Sequence, residues 1–319
     1  MTVAPTRLGR RTFLGNGAVV IGGTVTGEQS LVGVLSLAPT NAHESARSGG
    51  SWLGSPPILL PRREPSAGFI EERTYRPPRW LWLARAAIEL VRVTLPPAGF
   101  VMVTTAVVSA ALRLADRVGL GATLLLLPLV YMACCAVAMG GVALAKWVVM
   151  GRFRPFVKPL WSHFVWRLEA VNALYEFFLT PLALDPLRGT PMLAMYLRLL
   201  GARIGRRVYV HTTGLIEFDL VEVGDRAAIN DEAVLQSHLF EDRMLKASAL
   251  RVGTDCSVGA GSVVLYDAEM ADGSHLDALS LLMKGERLPA GTAWAGSPAA
   301  WQPGGDVTRV SEPMELRQP

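Results

Sequence analysis

The stretch Val252–Trp294 reads VGTDCSVGAGSVVLYDAEMADGSHLDALSLLMKGERLPAGTAW, with a large apolar residue at every sixth position: Val252, Val258, Val264, Met270, Leu276, Leu282, Leu288 and Trp294. Four residues after most of these stands a small one: Cys256, Ser262, Ala268, Ser274, Ser280 and Thr292, with Glu286 and Pro298 as exceptions. An α-helix, at about 3.6 residues per turn, would scatter such positions around its axis. A strand explains every second residue, not every sixth. A triangular coil with one short strand per side explains it: the apolar side chain points inward and the small one fits near a corner. The expected fold class is therefore mainly β, a left-handed parallel β-helix of hexapeptide repeats.

Working upstream, the pattern runs Ile204, Val210, Ile216, slips by one, and continues Val223, Ile229, Leu235. It breaks between Leu235 and Val252, so His238-Leu239-Phe240-Glu241-Asp242-Arg243 is expected to leave the prism as a loop, where rigid scaffolds tend to carry chemistry. A weaker copy lies near the start, with Leu14, Val20, Thr26 and Val32 at six-residue spacing and Ala18, Thr24, Ser30 and Ser36 four positions later. It closes in SWLGSPP (51–57), as the main copy closes in AWAGSPA (293–299). That match favours a partial β-helix over the alternative reading of Arg10-Arg11-Thr12-Phe13 as a twin-arginine export signal. So few hexads bury little core alone, so the copy is expected to need a neighbour.

Half of the 319 residues are hydrophobic and the mean hydropathy is +0.32, high for a soluble domain. Val93–Leu112 and Val118–Ala145 carry no charge, and each is long enough to cross a hydrocarbon core as a helix. Pro96-Pro97 should kink or delay the first helix. Arginine and lysine flank the pair at Arg76, Arg79, Arg85 and Arg92, then at Lys146, Arg152, Arg154 and Lys158. The positive-inside rule places both flanks, and both repeat regions, in the cytoplasm of a multi-pass protein of a bacterial cell membrane. The alternative is a helical hairpin buried in a soluble protein. The net charge of +4 sits on these flanks and on no nucleic-acid-binding motif, so membrane lipid is the expected partner and nucleic acid is not. The organisation expected is a partial β-helix at 8–60, a transmembrane section at 78–155 with spans near 93–112 and 118–145, amphipathic helices at 156–200, the main β-helix at 201–302, and a flexible tail at 303–319.

Three cysteines supply neither a disulfide framework nor a zinc spacing, so no metal is expected. His238, at the break in the register, is the candidate general base, with Glu241 or Asp242 to orient its ring; all three are taken as catalytic. The bland alternative is a loop histidine that only packs. His211, Asp219 and Trp294 are candidate substrate contacts; Asp219 reads as an acceptor-amine contact or a histidine partner, and the alternative for it is a solvated or corner carboxylate. His163 and His275 lack supporting neighbours. No Ser/His/Asp order, Walker loop or dinucleotide fingerprint is present.

The hexads, LQSHLFEDRMLK (235–246) and AWAGSPA resemble the hexapeptide-repeat acyltransferases. The larger order, SWLGSPP, two spans, VHTTGLIEFDLVEVGD (210–225), then LQSHLFEDR, looks like the C-terminal membrane region of the ε-poly-L-lysine synthetase type of nonribosomal peptide synthetase, over about Leu8 to Ala299. The resemblance implies amide formation between an amine and an acyl or aminoacyl thioester carried by coenzyme A or by the phosphopantetheine of a carrier protein, with His238 assisting attack. It also implies an adenylation and carrier partner, which this sequence lacks, and self-association through the β-helix. The alternative is a truncated, non-catalytic remnant or assembly scaffold.

Overall fold

A computed structural model describes residues 4–60 and 68–303; most of the tail expected at 303–319 lies outside the described residues. Strands of two or three residues stack into three faces of a prism. One face has five strands, from Arg203–Ile204 to Arg287–Leu288. A second has six, from Tyr209–Val210 to Ala300–Trp301. The third is built of Val234–Gln236, Val263–Leu265 and Leu281–Leu282. Pairing is parallel up to the closing strand Ala300–Trp301, with Val252 opposite Met270 and Met270 opposite Leu288. Val258 stands likewise opposite Leu276, and Leu276 opposite Trp294. Every third hexad therefore returns to the same face.

The two residue classes of the repeat follow from this coil. Val252, Val258, Val264, Met270, Leu276 and Leu282 are buried along the axis, each contributing about 1.5–3 kcal/mol if fully removed from water. The small residues fill corners, where the Ser262 hydroxyl donates to the Asp277 carbonyl (2.6 Å) and accepts from the Ser280 amide (3.0 Å). A third class appears only in the structure. Asp255, Gly261, Asp267, Gly273, Leu279, Gly285 and Gly291, again six apart, all have positive φ and turn the corners. Glycine and aspartate adopt that conformation at low cost, which explains four of the repeat's glycines.

Two departures from regularity matter. The one-residue slip after Ile216 is absorbed by a 3-10 turn, Phe218–Leu220, that begins at Glu217. The segment 238–247 is not a loop. His238–Glu241 and Met244–Ala247 form a hairpin, reversed at Asp242 and Arg243, which both have positive φ as a tight hairpin turn requires. A third strand, Phe156–Pro159, pairs antiparallel with Met244–Ala247, so the region expected to be helical from 156 opens with a strand. Backbone hydrogen-bond demand on the hairpin's free edge explains the pairing.

Helices α1 (Arg79–Val118) and α2 (Leu120–Val149) pack against each other and turn at Gly119, whose φ is +82°. α1 starts fourteen residues before Val93 and runs through Pro96 and Pro97, so the prolines neither end nor delay it. Both helices are long and apolar enough to cross a membrane, and only 11% of the apolar window of each is buried. That exposure argues against a hairpin sealed inside a soluble core.

α3 (His163–Ala173) continues into a π-helical segment, Leu174–Leu184, and α4 (Pro191–Leu199) follows. Leu179, Leu184, Leu193 and Leu197 join one core with Val210, Val223 and Val258, so these helices cap the prism. The N-terminal copy forms a second, shorter coil, with Leu14 opposite Val32 and Val32 opposite Trp52. Both units close with an antiparallel strand, Trp52 against Leu59 and Trp294 against Trp301, after a cis Ser-Pro bond. Val34 and Leu53 pack on Val263, Leu265 and Leu281, which gives the short coil the neighbour it needs.

Candidate active site

His238 opens the hairpin at the point where the chain leaves the prism. Its Nδ1 lies 2.8 Å from Oε2 of Glu217, which is wholly buried, whereas the imidazole keeps 15% of its surface. The Ser237 hydroxyl donates to the same carboxylate oxygen at 2.6 Å. Oε1 of Glu217 is buried without a hydrogen-bond partner among the described residues. A carboxylate against Nδ1 fixes the tautomer with the proton there and leaves the Nε2 lone pair to accept another. Phe240 meets the ring edge-on, with centroids 5.5 Å apart.

Burial by itself would lower the affinity of His238 for a proton. The charge and hydrogen bond of Glu217, then the charge of Glu176, outweigh it and raise the imidazole above its ordinary range. The surrounding protein also raises the Glu176 carboxyl; His238 opposes that effect and Glu217 adds to it.

The site lines a cavity of about 460 Å³. Glu217 and His238 form part of one wall, while Glu176 from the π-helical segment and Asn172 and Glu169 from α3 form another. Arg92 of α1 and Asn16 of the N-terminal coil also reach it. Glu169 is committed to Arg85 and lies 4.0 Å from Arg92. The chamber is thus assembled from both coils and from a long apolar helix, and its wall carries three carboxylates against one arginine.

The other sequence candidates lie elsewhere. Glu241 does not orient His238: it is buried against Lys246 (3.3 Å) and stands 4.0 Å from Lys284. In an antiparallel hairpin, a residue three positions along faces away from His238, so proximity in sequence misleads. Asp242 occupies the hairpin turn and lines a separate cavity of about 590 Å³ with Arg243. His211 stacks on Tyr209, with Nδ1 3.4 Å from Asp231, outside the His238 cavity. Asp219 is buried in an ion pair with Lys146 at 2.7 Å, so it is not solvated, and it does not line the His238 cavity. Trp294 is partly buried at the closing turn, donating to Thr292 at 2.9 Å, and does not line the chamber. Sequence reasoning missed Glu217, Glu176, Asn16 and Arg92. Only Glu217 left a trace, the one-residue slip beside it. Among the described residues, no cluster of histidine, cysteine and acidic side chains is arranged to hold a metal ion.

No family model matches the sequence. The chain is similar to the δ-poly-L-ornithine synthetase of Acinetobacter baumannii, 40% identical over 299 residues. The match covers 94% of this chain but 22% of that protein, so the chain spans about a fifth of its relative. Among solved structures, soybean serine acetyltransferase aligns over 63% of this chain and 69% of its own, with 16% identity and a TM-score of 0.30. The N-acyltransferase AntD of Bacillus cereus, solved with coenzyme A, aligns over 32% and 59%, with 16% identity and a TM-score of 0.26. Likenesses this loose add nothing to the fold derived above.

Proposed function

We propose that the chain is a membrane-anchored acyl or aminoacyl transferase unit of a nonribosomal peptide synthetase, forming amide bonds from a thioester and an amine. The observation that carries this reading is the His238–Glu217 pair, at hydrogen-bond distance in a chamber large enough for a substrate. The likeness to a poly-amino-acid synthetase supports the choice of an amine acceptor.

In this mechanism the neutral acceptor amine attacks the thioester carbonyl. His238 Nε2 takes the proton that the nitrogen loses as the N–C bond forms. Glu217 stabilises the imidazolium and holds the ring. Collapse of the tetrahedral intermediate breaks the C–S bond, and His238 returns the proton to the departing thiolate. Glu176, on the chamber wall with Arg92 and His238 as the basic residues of the lining, faces the acceptor and favours one that carries a second positive charge. The donor is a coenzyme A or carrier-protein thioester, supplied with an adenylation and carrier partner. The β-helix is left-handed, α1 and α2 span the bacterial cell membrane, and both coils lie in the cytoplasm and associate with further copies.

The test uses the full chain in lipid nanodiscs with an aminoacyl thioester and a diamino acid. Thiol release and the amide product, followed by mass spectrometry, should appear with wild type and vanish in His238→Ala. Equal rates for the two proteins would refute the assignment, and a folded wild type with no product would favour a scaffold.

A further inference from the structure

Asp219 and Lys146 form an ion pair that the mechanism above does not use. Lys146 stands in the last turn of α2, and Asp219 in the 3-10 turn that begins at Glu217. Their side chains are 1% and 5% exposed, with Nζ 2.7 Å from Oδ2. The same oxygen accepts the Phe153 amide at 3.1 Å, just beyond the end of α2. Gly201 completes the enclosure. Its φ is +114°, and a Cβ there would come within 2.6 Å of Asp219 Oδ1. Nζ also lies 3.5 Å from the Trp147 ring centroid and 5.3 Å from that of Phe153.

A buried ion pair contributes little net stability against well-packed apolar side chains, because desolvation of both charges offsets their attraction. Its usual benefit is to fix one arrangement, and here it fixes a short turn. The Leu220 amide bonds back to the Glu217 carbonyl at 2.8 Å, so displacement of Asp219 moves Glu217 with it. Glu217 in turn holds the Nδ1 of His238.

We propose that Lys146 is a positioning residue: through Asp219 it couples the seating of the second long helix to the alignment of Glu217 on His238. The transferase site would then be assembled only when the helical hairpin is docked on the β-helix. This inference rests on the proposed role of His238, but its test does not require turnover.

The charged groups facing His238 are Glu217 from the turn, Glu176 from the π-helical segment, Glu169 from α3 and Arg92 from α1. Lys146 itself faces Asp219 and, more remotely, Arg152. Neither cation touches the imidazole, and direct loss of the Lys146 charge would by itself favour the imidazolium, so a fall in the His238 midpoint reports on the turn. Full-length protein labelled with 15N-histidine, held in nanodiscs, would be titrated by NMR as wild type, Lys146→Met and Lys146→Arg. His238 is assigned by its absence in His238→Gln.

The expected result is a fall in the His238 titration midpoint in Lys146→Met, since a displaced Glu217 leaves only Glu176 to oppose burial. Lys146→Arg should restore part of it. If turnover is present, kcat should drop about tenfold in Lys146→Met with KM little changed. An unchanged midpoint in folded Lys146→Met would overturn the coupling, whatever its effect on melting temperature. Should Lys146→Met fail to fold, Lys146→Gln, which removes the charge and keeps a donor for Asp219, decides: a midpoint identical to wild type overturns the proposal and a lowered one supports it. Loss of activity in wild type with a shifted midpoint in the variants would sink the transferase reading while leaving the coupling intact.

Discussion

Replacing Glu217 with glutamine tests the site most directly, because it removes a charge and keeps the shape. The carboxylate lies 2.8 Å from Nδ1 and is wholly buried. At an effective dielectric near 20, the attraction between an imidazolium and a carboxylate at that distance is about 6 kcal/mol. Water reaches the ring, which keeps 15% of its surface, and the Ser237 hydroxyl already draws on the same oxygen. If half of the attraction survives in the transition state, Glu217→Gln loses about 3 kcal/mol, roughly a hundredfold in kcat. The glutamine oxygen can still accept from Nδ1, so KM should move little. The pH profile gives an independent readout. Glu217 and Glu176 hold His238 above its ordinary range against the effect of burial, so the neutral base is populated, and activity rises, only as pH climbs through that raised value. In Glu217→Gln burial dominates, and the acid limb should move to lower pH while the plateau falls. Steady-state thiol release from pH 5 to 9 in nanodiscs measures both. A variant with wild-type kcat, or with a lowered plateau but an unmoved acid limb, would refute the assignment of Glu217 as the partner of the base.

Other outcomes follow from the same geometry. Ser237→Ala removes the 2.6 Å donor to Glu217 and should cost about 1–3 kcal/mol in stability by chemical denaturation, with a smaller loss of kcat than Glu217→Gln. Glu176→Gln should raise KM for a diamino-acid acceptor more than for a monoamine of equal length; parallel changes for the two would remove Glu176 from acceptor recognition. Met270→Ala opens a cavity on the prism axis, where Met270 is fully buried, and should destabilise by about 2–5 kcal/mol without shifting the pH profile. The raised proton affinity of His238 also carries a stability term of defined sign. It is fully present below the ordinary histidine value and lost as pH rises through the raised one, so His238→Gln should flatten the stability curve across that window.

The sequence by itself determined the β-helix, because a six-residue period is incompatible with the twists of helix and simple strand, and each hexad repeats the same local choice between an inward apolar and a small corner residue. From Val252 to Trp294 the spacing alone marks which side chains point inward. The two apolar helices were equally legible, since length and absence of charge are one-dimensional properties. His238 is singled out in the sequence because it stands where periodicity fails. Its partner is not. Glu217 is twenty-one residues away, and it reaches the ring only because the coil brings one turn beside another and the 3-10 turn after Ile216 re-aims one side chain. Glu241 and Asp242, nearer in sequence, are carried off by the alternation and reversal of a hairpin. Asp219, in sequence either an amine contact, a histidine partner or a corner carboxylate, is buried because α2 sets Lys146 upon it. Arg92, Glu176 and Asn16 enter the chamber from three separate elements with no common spacing. Repetition along the chain is recorded in sequence, whereas convergence of distant segments on one cavity depends on packing, and only the tertiary structure decided it.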